Sequence, residues 1–273
     1  MHPDRYAVIG NPIAHSKSPE IHARFAEQTR QHMTYERLLA PLDGFVEAVN
    51  LFVAQGGKGM NVTVPFKLEA YALATTLTAR AQAAGAVNTL QFKDGAMVGD
   101  NTDGVGLVQD IIANAGVAIA GKTVLLLGAG GAARGVLLPL LEQLPRRIVL
   151  ANRTLSKAQE LATKLAASGK VEVCAFGGLN EPFDIVINAT AASLNAEVPP
   201  ISAQVLTPQT LAYDMMYGRQ PTVFMDFAAV HGARTRDGLG MLVEQAAASF
   251  LLWRGVRPDT TAILAALRAQ RSS

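Results

Sequence analysis

At 273 residues the chain is long enough for one large or two medium domains, and its 49% hydrophobic and 17% charged residues exclude an intrinsically disordered protein. A formal net charge of +2, with no Lys/Arg-rich run, gives no footing for nucleic acid. The lone Cys174 sits in apolar company and can close no internal disulfide, and neither it nor the histidines stand at metal-ligand spacing, so no metal is expected.

The N-terminal "MHPDR" leads straight into strand-like residues with no apolar signal core, and runs such as Val124–Leu127 are far too short to span a bilayer. A cytoplasmic protein without a membrane partner is expected. In chain order, Tyr6–Ile9 reads as a strand, Pro19 to about Gln31 as a helix, and Thr34–Leu39 as a strand. Gly44–Gln55 (helix), Gly59–Val64 (strand) and Lys67–Ala84 (helix) follow. Val87–Phe92 and Ala96–Val98 flank the turn signal Lys93-Asp94-Gly95. A new rhythm begins near Gly104: helix Val105–Ala115, the apolar strand Thr123–Leu127, a glycine turn, and a helix to Leu144. Ile148–Leu150, Val171–Ala175, Ile185–Asn188 and Leu211–Asp214 continue the strands, with a helix over Ser156–Ala167. After Gly238 the chain turns helical, with Leu239, Leu242, Ala246, Phe250 and Trp253 at helical spacing and another helix after Pro258-Asp259-Thr260. The pattern predicts an α/β protein of two domains: an N-terminal α/β domain and a Rossmann-like doubly wound parallel-sheet domain.

In the stretch "GMNVTVPFK" the alternation places Asn61 and Thr63 on one strand face and Met60, Val62 and Val64 on the other. Pro65 ends the strand and suits the first turn of a helix, which then carries Lys67. Two more polar clusters follow strands, "GNPIAHSKSP" at 10–19 and "GDNTDG" at 99–104, and Asn88 lies inside "GAVNT". Ends of strands in such domains converge on one edge, where ligands bind. Hydroxyls (Ser16, Ser18, Thr63), amides (Asn61, Asn88), one lysine and one aspartate fit a small polyol bearing a carboxylate. Lys67 and Asp103 form the pairing suited to the proton transfer that accompanies hydride transfer to a carbonyl; a surface salt bridge without chemistry fits the composition equally. His15 reads as a structural loop histidine.

Strand, glycine turn and helix start follow one another in "TVLLLGAGGAAR", 123–134. Gly128 allows the tight turn, Gly130 lets the backbone approach a pyrophosphate, and Ala133 takes the place of the third glycine, a permitted variation. A glycine turn packing strand on helix without ligand is the alternative. Near the end of the next strand an NAD site calls for a carboxylate; "ANRT" offers Asn152, Arg153 and Thr154 instead, which suits the 2′-phosphate of NADP. Pro139 predicts a kink or break in the helix after the glycines.

The motifs "YAVIGNPIAHSKSPEIH", "GGKGMNVTVPFK", "GAVNTL", "GDNTDGVGL", "LLGAGGAARGVLLPLL", "ANRT", "INAT", "YDMMYG" and "DGLGMLVEQAAASFLLWRGV" together resemble the shikimate dehydrogenases over almost the whole chain. The resemblance implies NADPH-dependent, reversible reduction of 3-dehydroshikimate to shikimate, a step toward aromatic amino acids. It implies that Ser16, Ser18, Asn61, Thr63, Lys67, Asn88, Asp103, Tyr217 and Gln245 form the substrate site, with Lys67 the acid/base group assisted by Asp103. It implies a cofactor site of Gly128, Ala129, Gly130, Gly131, Ala132, Asn152, Arg153, Thr154, Leu155, Ser156, Lys157, Thr190, Met215 and Gly238. Residues 1–103 are then the substrate domain, joined by helices from 239–273, and 104–238 the NADP domain, with a cleft between the two. The expected partner is a small molecule, bound by a monomer or homodimer. An NAD-using quinate/shikimate dehydrogenase and a non-catalytic NADP sensor are the competing expectations. After "INAT" the family commonly carries serine and glycine, whereas Ala191-Ala192-Ser193 stands here, so the loop beside the nicotinamide departs from the pattern.

Overall fold

The computed structural model describes residues 2–272. The chain divides into two compact units, one of Met1–Asp103 with Val243–Gln270 and one built on Gly104–Leu242.

The first unit runs β1 (Asp4–Gly10), α1 (Ser18–Thr29), β2 (Met33–Leu39), α2 (Phe45–Ala54), β3 (Gly57–Val62), α3 (Lys67–Leu73), β4 (Thr76–Leu77), α4 (Ala79–Ala84), β5 (Thr89–Lys93) and β6 (Ala96–Asp100). Its sheet has the order β2-β1-β3-β5-β6-β4. β1 runs parallel to β2 and β3, whereas β5 is antiparallel to both β3 and β6. The C-terminal ends of β1, β3 and β6 therefore meet the start of β5 along one edge, with Asn61 opposite Thr89 and Thr89 opposite Asp100. Ile9, Met60, Val62 and Leu90 pack under Phe45, Val49 and Phe66 on one face. Aromatic rings supply the opposite side: Phe25 meets Phe250 edge-on, and Trp253 stacks on Tyr6. A Cβ at Gly59 would overlap the Trp253 indole, whose Nε1 donates to the Leu90 carbonyl at 3.0 Å. That close approach requires glycine and draws the C-terminal helical segment onto this sheet.

Three local expectations are corrected by the structure. The single helix over Lys67–Ala84 is instead α3, β4 and α4. The β-branched run Thr75-Thr76 prefers an extended chain: the Thr75 N–H donates to the Met97 carbonyl at 2.8 Å, and Thr78 caps α4 by accepting from Ala81 N–H at 3.3 Å. Pro65 lies in the turn that precedes α3 rather than in its first turn, and Val64 is exposed rather than part of the apolar face.

The second unit runs α5 (Asp103–Gln109), a π-helical segment Asp110–Asn114, β7 (Thr123–Leu127), α6 (Gly131–Leu141), β8 (Arg147–Ala151), α7 (Leu155–Lys164), β9 (Val171–Cys174), β10 (Ile185–Asn188), β11 (Leu211–Asp214), α8 (Val223–Val230) and β12 (Arg234–Arg236). Helices α9 (Leu239–Arg254) and α10 (Thr261–Ser272) complete the chain. The sheet order is β12-β11-β10-β7-β8-β9, with every adjacent pair parallel. This is the doubly wound order of dinucleotide-binding domains, and its direction reverses between β7 and β10, where such folds bind ligand. Leu125, Leu127, Val149, Val186 and Phe224 form part of the core.

Helix α6 continues through Pro139 to Leu141, so of the expected kink or break the break does not occur. The carbonyl of Gly135, which a proline at 139 cannot donate to, faces Gly104, where a Cβ would overlap it and lie 2.5 Å from the Pro139 ring. At the start of the π-helical segment, fully buried Asp110 accepts two hydrogen bonds from Arg236 (2.8 and 2.6 Å) and one from the Tyr213 hydroxyl at 2.7 Å. Burial and then the Asp110 charge push the Tyr213 hydroxyl well above its ordinary pKa, so it stays a donor.

Candidate active site

On the first sheet's edge, Lys67 opens α3 and its Nζ donates to Asp103 Oδ2 at 2.6 Å. The two side chains are 31% and 22% exposed, so the pair is reachable from solvent yet partly walled in. Asn88, just before β5, is buried and donates through Nδ2 to the other oxygen of Asp103 at 2.8 Å. The Asn88 amide has one possible orientation. Its Oδ1 accepts the backbone N–H of Thr102 at 2.9 Å, and a backbone N–H can only donate. The hydroxyls of Thr89 (2.8 Å) and Thr102 (3.2 Å) add to the same oxygen. Gln245, on α9, brings Oε1 within 3.4 Å of the Thr102 hydroxyl and 3.5 Å of Asn88 Nδ2. Lys67, Asn88, Asp103 and Gln245 thus form one constellation.

Thr63 follows β3 beside the loop after β1: a Cβ at Gly10 would lie 2.5 Å from its Cγ2, and Asn11 N–H donates to the Val64 carbonyl at 3.0 Å. That loop carries Ser16, whose carbonyl accepts from Arg37 at 2.6 Å, and ends at Ser18, buried at the head of α1 with its N–H 3.3 Å from Ser16 Oγ. Asn61 is 6% exposed and its amide is engaged inward: Oδ1 accepts the Tyr35 hydroxyl at 2.7 Å, while Nδ2 reaches Ser249 Oγ at 3.0 Å and Thr89 Oγ1 at 3.1 Å. Behind it, His22 is fully buried and stacked 4.1 Å from the Tyr35 ring. Burial pushes the imidazole pKa down to about 3, so the ring is neutral. His15 is exposed.

Tyr35, Thr89, Thr102 and Ser249 are site-supporting residues that motif reading passed over. Ser249 stands one helical turn after Gln245, the spacing that would have signalled a shared face. Thr102 lies in plain view within "GDNTDG" but looks like one more loop hydroxyl.

The second constellation lies at the switch point of the other sheet. Gly128 follows β7 with φ +101°, and its N–H donates to the Ala151 carbonyl at 2.8 Å. Ala129 N–H donates to Asn152 Oδ1 at 3.2 Å, and Asn152 Nδ2 to the Thr154 carbonyl at 2.8 Å, tying the glycine turn to the loop after β8. A Cβ at Gly130 or Gly131 would meet nothing within 4 Å, so the start of α6 is an open approach lined by backbone N–H groups. Ala132 is exposed beside it, whereas Ala133 is buried against the sheet. Arg153, Thr154, Leu155, Ser156 and Lys157 are all exposed at the head of α7. An open amide cradle, two nearby cations and no carboxylate at the end of β8 suit a dinucleotide bearing a 2′-phosphate.

Across the switch point, a Cβ at Gly128 would come within 3.1 Å of Thr190 Cγ2. Met215 follows β11, and a Cβ at Gly238 would overlap its carbonyl, while Gly238 N–H donates to the Met216 carbonyl at 3.0 Å. Tyr217 lies on the same loop, 42% exposed, in the second unit. Among the described residues no cluster of His, Cys, Asp or Glu could hold a metal ion, and no helix is long and apolar enough to cross a membrane.

A doubly wound sheet with an open phosphate cradle, and a lysine–aspartate pair amid hydroxyl and amide groups, define the class as a nicotinamide-dependent oxidoreductase of a small polar substrate. Comparison with known proteins narrows this. Family models match at residues 8–90 (shikimate dehydrogenase substrate binding domain), 109–226 (shikimate/quinate 5-dehydrogenase) and 238–268 (shikimate 5′-dehydrogenase C-terminal domain). The chain is 73% identical to shikimate dehydrogenase (NADP(+)) of Herminiimonas arsenicoxydans, covering 98% of each chain. Among solved structures it is similar to an Ael1 enzyme from Pseudomonas putida (49% identity, TM-score 0.94, 97% of this chain and 98% of that one). It is also similar to shikimate 5-dehydrogenase from Thermus thermophilus in complex with NADP(H) and shikimate (31% identity, TM-score 0.86, 97% and 99% coverage). The chain belongs to the shikimate dehydrogenase family.

Proposed function

We propose that this protein reduces 3-dehydroshikimate to shikimate with NADPH, reversibly, as a step toward aromatic amino acids, and that Lys67 exchanges the proton. The observation that carries the chemistry is the 2.6 Å pair of Lys67 with Asp103, whose second oxygen is held by an Asn88 amide of fixed orientation. Bound at the glycine turn, the cofactor supplies the hydride. Lys67 donates a proton to the substrate oxygen as charge develops there, and the Asp103 carboxylate keeps the ammonium aimed and stabilises it. Ser16, Ser18, Thr63, Asn88 and Gln245 orient the hydroxyls and carboxylate of the substrate, while Asn61 supports that wall from behind. Arg153, with Asn152, Thr154, Leu155, Ser156 and Lys157, holds the 2′-phosphate end; Gly128–Ala132 receive the diphosphate; Thr190, Met215 and Gly238 line the nicotinamide end. Residues 104–238 form the NADP domain, and 1–103 with 239–273 the substrate domain.

The exposed Arg153 at the end of β8 favours NADPH over NADH and so disfavours the NAD-using quinate/shikimate dehydrogenase reading. Steady-state oxidation of NADPH and NADH with 3-dehydroshikimate tests both points. Turnover with a higher kcat/KM for NADPH is expected; a folded protein that binds NADPH without turnover would instead be a nucleotide sensor. The protein acts in the cytoplasm on small molecules, as a monomer or homodimer, which light scattering of the purified chain reads directly.

A further inference from the structure

Asp214 ends β11 and is fully buried. Its Oδ2 accepts from Ser193 Oγ at 2.6 Å, Thr222 Oγ1 at 2.6 Å and Asn188 Nδ2 at 3.3 Å, and its Oδ1 accepts the backbone N–H of Met216 at 3.0 Å. The donors come from the end of β10, the loop after it, the loop after β11 and the cap of α8. One carboxylate therefore ties together four points around the second sheet's C-terminal edge.

The polarity of this knot is determined by groups that cannot rotate. Asn188 Oδ1 accepts the backbone N–H of Thr190 at 3.1 Å, along with the Thr190 hydroxyl at 2.7 Å. The amide cannot turn over without setting its NH2 against a backbone donor, so Nδ2 must face residue 214. Met216 N–H imposes the same demand on the other side. Position 214 has to present two acceptors and no donor, which a carboxylate does and an amide of equal size does not. Ala191 and Ala192 have no side-chain hydrogen-bonding group, so Ser193 is the residue that fastens this loop to the carboxylate.

A dinucleotide laid across the switch point has its diphosphate at the turn after β7 and its adenosine end over β8, which leaves the nicotinamide end over β10 and β11. That end is lined by the groups the knot holds. Thr190 is held through Asn188, Met215 and Met216 through the bond to Met216 N–H, and Gly238 through its own bond to the Met216 carbonyl. We propose that Asp214, with Ser193 as its tether, is a positioning residue that sets the nicotinamide wall of the cofactor site without touching the adenosine end. This rests on the cofactor placement given under the proposed function.

Asp214→Asn tests it, with Ser193→Ala as the milder second variant. For each, KM for NADPH is measured beside the inhibition constant of adenosine 2′,5′-bisphosphate, which reports the adenosine end alone. Loss of a hydrogen bond to a charged group corresponds to roughly a tenfold change. KM for NADPH should therefore rise about tenfold in Asp214→Asn and by roughly a third of that factor in Ser193→Ala, whose remaining donors still bind the carboxylate. Inhibition by the bisphosphate should stay within about twofold of wild type in both. Equal weakening of both ligands would make Asp214 a support of the whole sheet and overturn the proposal, as would an unchanged KM for NADPH. Should the bisphosphate fail to compete with NADPH in the wild-type protein, the cofactor placement itself is wrong and the proposal falls with it. If it competes but the split between ligands is absent, the proposal alone falls.

Discussion

Asp103→Asn replaces one carboxylate oxygen by an amide nitrogen and leaves volume almost unchanged, so its effect isolates polarity. Both neighbours of Asp103 are donors: Lys67 Nζ at 2.6 Å on one oxygen and Asn88 Nδ2 at 2.8 Å on the other. Asn88 cannot invert to accept, because its own oxygen is committed to the Thr102 N–H at 2.9 Å. An amide at 103 must therefore aim an NH2 either at the ammonium or at Asn88. The ion pair is 31% and 22% exposed, so its screened Coulomb part contributes well under about 1 kcal/mol, and the opposed donors add about 1–2 kcal/mol. A total of roughly 1–2 kcal/mol lowers Tm by a few degrees only. The rate should respond far more, since an unanchored Lys67 forfeits much of the ~10²- to 10⁴-fold that a positioned acid provides. With NADPH oxidation followed by absorbance under saturating 3-dehydroshikimate, kcat is expected to fall about 100- to 1000-fold with KM for NADPH unchanged. A kcat within about threefold of wild type, in a protein of near-normal Tm, would refute the pairing as the source of the acid.

Arg153→Ala should raise KM for NADPH about tenfold and leave NADH within about twofold, since only the former has a 2′-phosphate; equal loss for both cofactors contradicts the assignment. His22 is neutral and fully buried, and neither ring nitrogen has a hydrogen-bond partner among the described residues. Its pKa falls from 6.5 to about 3, so above 6.5 it is neutral whether the chain is folded or not, while below that value only the unfolded chain takes up the proton. Stability is thus lost at up to about 1.4 kcal/mol per pH unit as pH falls from 6.5 toward 3, and urea midpoints of His22→Phe should show a weaker acid dependence than wild type. Identical dependence would mean the unfolded chain gains nothing at this site. Asp100 is 1% exposed and accepts from Arg80 (3.1 and 2.5 Å), Thr78 (2.6 Å) and Asn101 N–H (2.7 Å). Asp100→Asn should cost about 2–3 kcal/mol in chemical denaturation, because Arg80 keeps partial access to water; a loss under about 0.5 kcal/mol would contradict a structural role.

The buried parallel strands were legible because they are short, apolar runs bounded by turn residues: Thr123–Leu127, Ile185–Asn188 and Leu211–Asp214 stand where the sequence places them. Elements whose stability comes from distant groups were not. The alanines from Ala70 to Ala84 read as one helix because alanine favours it everywhere, which hides the extended Thr75-Thr76 paired to β6. Strand β12, "RTR", resembles a charged loop until Arg236 is seen bound to buried Asp110. Helix α8 went unread although Thr222 caps it by accepting from Met225 N–H at 3.3 Å. At the candidate site, Lys67 and Asp103 were visible as charges that follow strands. Gln245 came only with the family resemblance, since on an apolar helix one amide signals little. Asp214 looked like a strand terminus because its donors lie on separate segments, and no local pattern joins Ser193 to Thr222.

The most direct test of the chemistry is the single-turnover rate of NADPH oxidation by Lys67→Ala with 3-dehydroshikimate, read beside the variant's affinity for shikimate. The rate is expected to fall by about 10²- to 10⁴-fold with shikimate bound within a few-fold of wild type. A rate near wild type with intact binding would contradict this and take Lys67 out of the proton transfer.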